Sequence, residues 1–132
     1  MNRTCTIAIA AAASAAVFSM LPIAAHAQVH TVTGVGIVAK PRSYVGSCPT
    51  TIEFIATIHV SHHPARVEYQ WERSDGGRGP RETVEIRSAG RSVTDTWTLG
   101  RPGMRRNVWV RLHVLAPTGI SSPEAHAHID CR

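Results

Sequence analysis

Histidine carries the densest potential chemistry in this chain. His126-Ala127-His128 is an H-x-H pair, and residues two apart on a β-strand leave the same face. Pairing that strand with the one before it, across Pro117-Thr118-Gly119, is expected to set His113 opposite His126 and Arg111 opposite His128. Three imidazoles on one face could coordinate zinc or copper. Arg111 among them would repel a cation, so the expected reading is a solvated histidine face. A metal site at His113, His126 and His128 is the alternative. Trp109 leaves the same side as Arg111 and His113, and an outward tryptophan on a sheet face can mark a contact surface. Trp109, Arg111 and His113 are therefore the candidate binding face. His62-His63 precede Pro64 in a turn and are expected to be exposed.

Signs of catalysis are few. No serine sits in a Gly-x-Ser-x-Gly elbow, and no pair of carboxylates stands out on one face. Gly34-x-Gly36 lacks the third glycine and the helix of a dinucleotide site. The expectation is a protein that is not an enzyme and needs no cofactor.

Three cysteines are present, Cys5, Cys48 and Cys131. Cys5 lies in a leader-like segment, which leaves Cys48 and Cys131 as an even pair. In an oxidising compartment such a pair reads as a disulfide. Closing so long a loop stabilises by about 4–5 kcal/mol on chain-entropy grounds, and measured values fall nearer about 2–4 kcal/mol. No C-x-x-C spacing points to a redox or metal thiol pair.

The leader reading rests on Arg3, an apolar alanine-rich run from Ile7 to about Ala25, and the small-x-small triplet Ala25-His26-Ala27. Residues 1–27 are expected to be a signal peptide cleaved after Ala27, and residues 28–132 the exported domain, periplasmic or secreted. No later apolar run is long enough to span a bilayer. Losing Arg3 leaves thirteen Lys and Arg against nine Asp and Glu. These charges are interspersed, and only Arg105-Arg106 forms a basic pair. Nucleic-acid binding wants a clustered basic face with aromatic platforms and is not expected.

The elements that must position these residues alternate apolar and polar with period two, the strand signature. Ile52, Phe54, Ala56, Ile58 and Val60 share one face of a strand. Val67, Tyr69 and Trp71 do so in the next, then Val84 and Ile86, then Val93, Trp97 and Leu99. Val108, Val110, Leu112 and Val114 mark a further strand, and Ala125, Ala127, Ile129 and Cys131 the last. Thr31 to Lys40 supplies a first edge strand. Turn chemistry separates the runs, as in Asp75-Gly76-Gly77 and Arg101-Pro102-Gly103. The prediction is an all-β, seven-stranded antiparallel immunoglobulin-like β-sandwich. If each strand runs antiparallel to the next, Cys48 and Cys131 fall at the same pole, as a bridge requires. Strict alternation also points Asp95 inward beside Trp97, where an unpaired carboxylate would be costly.

From Cys48 onward the chain resembles the single immunoglobulin-like domains of bacterial secreted proteins. The resemblance is carried by Cys48-Pro49 with Thr51-Ile52-x-Phe54, by Val67-x-Tyr69-x-Trp71-x-Arg73-Ser74-Asp75-Gly76, and by Trp97-x-Leu99-Gly100. It continues in Trp109-Val110-Arg111-Leu112-x-Val114 and in Ser122-x-Glu124-Ala125 up to Cys131. It implies that Trp71 is the core tryptophan of the sandwich. The strand carrying Trp109 has neither the cysteine nor the corner tyrosine of antibody-type domains. Tyr69-x-Trp71 with Asp75-Gly76 is also similar to the polycystic-kidney-disease type of sandwich. The expected function is an interaction module binding a protein or a glycan. A small metal-binding protein and a structural domain of an adhesive or envelope assembly are the alternatives.

Overall fold

The computed structural model describes residues 12, 19–23 and 31–132. Most of the expected signal peptide, and the cleavage site after Ala27, lie outside the described residues. Among the described residues no helix is long and apolar enough to cross a membrane.

The described chain is all-β. The strands are β1 (Val32–Lys40), β2 (Ser43–Gly46), β3 (Thr50–Val60), β4 (Ala65–Arg73), β5 (Glu82–Ile86), β6 (Gly90–Leu99), β7 (Arg105–Ala116), β8 (Ile120–Ser121) and β9 (Ala125–Cys131). One sheet has the order β1-β3-β6 and the other β2-β9-β7-β4-β5, with β8 also on β7. All seven expected strands are present, and two short ones join them. Of these, β2 pairs parallel to β9, so the sandwich is not wholly antiparallel. Four residues of Ser-Tyr-Val-Gly are too few to show a period, and only their place beside β9 makes them a strand.

The period-two residues face inward as alternation requires. Ile52, Phe54, Val67, Leu112 and Ile129 are fully buried, each contributing about 1.5–3 kcal/mol by leaving water. Trp71 and Trp97 are buried in the same core. At one pole Cys48 and Cys131 are joined, with Cα atoms 5.4 Å apart. Gly100 lies against this bridge with φ +98°, and a Cβ there would come within 2.8 and 2.9 Å of the two sulfurs. Only glycine meets both the conformation and the space.

On one flank the sheets end in β6 and β5, whose outer edges no strand among the described residues pairs. Arginines from the facing sheets hold this flank. Arg73 Nη2 donates to the Thr96 carbonyl at 3.1 Å, and Arg91 Nη1 donates to the Glu85 carbonyl at 2.8 Å. Asp95 points inward from β6 and is held by Arg73 Nε and Nη2 at 3.1–3.2 Å. An inward charge on an edge strand opposes pairing with another chain, which gives the awkward Asp95 a physical reason.

Candidate functional site

Strand β7 is an inner strand of the larger sheet, so its odd-numbered residues stand on that sheet's outer face. Trp109, Arg111 and His113 are all half-buried there, because neighbouring side chains lie over them. The Arg111 guanidinium sits 5.2 Å from the Trp109 ring centroid and reaches Glu124 Oε1 at 2.5 Å. Its Nε is buried without a hydrogen-bond partner. Glu124 also meets His126 Nε2 at 3.2 Å. The candidate binding face is thus covered by its own ionic and cation–π contacts rather than laid open as an apolar patch.

His113 is the best connected of the three. Its strand neighbours are Gln70 on β4 and Ser121 on β8. Ser121 Oγ lies 2.6 Å from Nδ1, and Glu72 Oε2 is bonded to Nε2. That bond, with help from nearby Arg78 and Arg111, holds the Glu72 carboxyl below the usual carboxylate range, while burial opposes the shift.

The expected pairing of the histidines does not form. His126 lies opposite Trp109 and His128 opposite Asn107, four residues along β7 from the expected register. The cause is the break at Ser122-Pro123-Glu124. It divides the final strand into β8 and β9 and ties Leu112 N–H to Ser122 Oγ at 2.9 Å. At roughly 3.4 Å per residue, His113 and the position opposite His126 stand about 14 Å apart. His128 Nδ1 is bonded instead to Asn107 Oδ1 at 2.7 Å. Among the described residues no group of three or more histidine, cysteine or acidic side chains is placed to hold a metal ion.

No sequence motif marks a further concavity. A groove of about 330 Å³ opens on the flank between β6 and the turn that follows β4. Trp71, Arg73, Asp75, Arg78, Glu82 and Asp95 contribute to its lining. The turn is shaped by Gly76 at φ +86° and by Asp75 Oδ1, which accepts the Gly77 N–H at 2.8 Å. Arg73 is anchored at its rim by Asp95 and lies 5.1 Å from the Trp97 ring centroid. Arg78, Asp75 and Glu82 are exposed, so the groove offers charges of both signs over a nearly buried tryptophan. The one sequence signal for it was the inward Asp95.

With this geometry in place, the comparisons with known proteins concern the fold. The CARDB domain of a Pyrococcus furiosus protein, solved in complex with di-metal ions, superposes with a TM-score of 0.55. It is 14% identical over 75% of this chain and 93% of that domain. A solution structure of that CARDB domain gives a TM-score of 0.53 at 13% identity, covering 75% of this chain and 94% of the domain. The likeness is one of fold. Bifidobacterium dentium β-glucuronidase overlaps 78% of this chain with 18% of its own at a TM-score of 0.43 and 12% identity. No family model matches the chain, and no curated protein matches it. The immunoglobulin-like β-sandwich is therefore shared with CARDB domains, while sandwiches as a class host unrelated functions.

Proposed function

We propose that this protein is an exported interaction module that binds a polar segment of a protein or glycan in the groove beside β6. The observation that carries the reading is the groove itself, where both signs of charge converge around a nearly buried tryptophan. Ligand sites are concave, with a few placed polar groups that set orientation. Here the apolar share is small, because Trp71 is only 5% exposed. A ligand rich in hydroxyl, amide or charged groups suits such a lining better than an apolar one. We read this lining of charged and polar groups as a binding surface.

Export is supported by Arg3, the apolar run and Ala25-His26-Ala27. A bridge between Cys48 and Cys131 also suits a periplasmic or extracellular location. N-terminal sequencing of the exported protein should begin at Gln28, and a retained Met1 would refute processing. For the groove, Arg78→Glu reverses an exposed charge in the lining. Binding to glycan arrays, or to partners captured from the native envelope, should be lost in Arg78→Glu and kept in His126→Ala on the other face. A ligand held equally by Arg78→Glu and the parent protein would refute the groove.

A further inference from the structure

The groove leaves unused the hydrogen-bonded row on the outer face of the larger sheet. Glu72 comes from β4, His113 from β7 and Ser121 from β8. The Glu72 and His113 side chains are 21% and 20% exposed, whereas Ser121 is exposed. An ionised carboxylate only accepts, so its bond to Nε2 places the imidazole proton on that nitrogen. Nδ1 is then a lone-pair acceptor, and Ser121 O–H is 2.6 Å away to donate to it. Nucleophile within reach of base, and base oriented by a third group, is the arrangement that activates a serine. It is recognised by geometry and roles rather than by order in the chain.

We propose that Ser121, His113 and Glu72 form an acyl-transfer site that takes small, activated carboxylic esters. Ser121 Oγ attacks the ester carbonyl carbon as its proton passes to His113 Nδ1. Glu72 holds the ring and stabilises the imidazolium. The carbonyl carbon–oxygen bond to the leaving group then breaks, and the departing oxygen takes the proton from Nδ1. Water attacks the resulting acyl-Ser121 and gives a proton to Nδ1. That proton returns to Ser121 Oγ as the carboxylic acid leaves, so the site is regenerated with one ester and one water consumed. Because Ser121 is exposed, solvent hydrogen-bonds the developing oxyanion. A preorganised oxyanion hole contributes about 10²–10³ in rate where one exists, and a solvated site goes without that gain. Good leaving groups are therefore required, and amides are not substrates. Ser121 and His113 are the catalytic residues here, and Glu72 is a positioning residue.

The test is reaction of the purified protein with a fluorophosphonate probe, mapped by peptide mass, together with p-nitrophenyl acetate hydrolysis. Ser121 should be labelled far faster than the exposed Ser92. General-base assistance is worth about 10²–10⁴ in rate, so His113→Gln should slow labelling about a hundredfold or more. Ser121→Ala should abolish both label and hydrolysis. Glu72→Gln should lower kcat and leave KM unchanged. If Ser121 in the parent protein is labelled no faster than Ser92, the proposal is overturned. Labelling that persists unchanged in a folded His113→Gln protein overturns it equally. Both results can be read without any knowledge of what the groove binds.

Discussion

Replacing Gly100 by alanine probes the pole of the sandwich where β6 ends against the bridge. Two separate costs follow from the structure. The backbone at φ +98° lies where an L side chain is strained, worth about 1–3 kcal/mol. The added Cβ would also stand 2.8 Å from Cys131 Sγ, 2.9 Å from Cys48 Sγ and 3.2 Å from Cys48 Cβ. Normal carbon contacts are about 3.5–4.0 Å, and overpacking of this kind costs about 1–3 kcal/mol. Gly100→Ala should therefore destabilise by about 2–6 kcal/mol, read as a lowered urea midpoint at constant slope. A double-mutant cycle separates the two costs. In a Cys48→Ala, Cys131→Ala background both sulfurs are gone, so the backbone cost stays and most of the clash disappears. Losing the bridge itself costs about 2–4 kcal/mol, so the cycle is best measured in sulfate, which favours the folded state. A penalty of the same size with and without the bridge would refute the contact argument. A penalty below about 0.5 kcal/mol in the parent protein would refute both parts.

Three further outcomes are expected. Asp95→Ala removes the carboxylate that holds Arg73 and unblocks the edge of β6. It should cost about 1–2 kcal/mol, since the pair is partly exposed, and favour self-association in light scattering; a monomer of unchanged stability would contradict it. Tyr69 is pushed up to about 12, first by burial and then by the Glu82 carboxylate, from an ordinary value of 10.0. The folded state holds this proton more tightly, so the associated stability is complete below pH 10 and is lost as pH rises toward 12; phenolate absorbance of native Tyr69 appearing at pH 10 would refute the burial argument. Glu72 is shifted down by its bond to His113. Its stabilisation is present above the ordinary carboxylate range and is lost as pH falls through its lowered value, so acid denaturation profiles of parent and Glu72→Gln should differ at neutral pH and converge in acid.

Much of the framework was legible in the residues alone. Period-two runs such as Ile52-Phe54-Ala56-Ile58 and Val108-Val110-Leu112-Val114 are read directly because side-chain direction in a strand depends on nothing further along the chain. Their burial, the place of Trp71 and Trp97 in the core, and the shared pole of Cys48 and Cys131 follow from that alternation. The parity of the strand pairing also follows, since a one-residue slip would turn the whole inner face outward. How far a strand slides by an even number of residues does not, because each such register keeps the apolar side inward. Only the folded chain decides that, here through the break at Ser122-Pro123-Glu124, which carries His126 to Trp109 and leaves His113 to Ser121 and Glu72. The groove lies beyond sequence reading for the same reason. Its walls come from β4, β6 and the turn between β4 and β5, which are brought together by two sheets closing over a core.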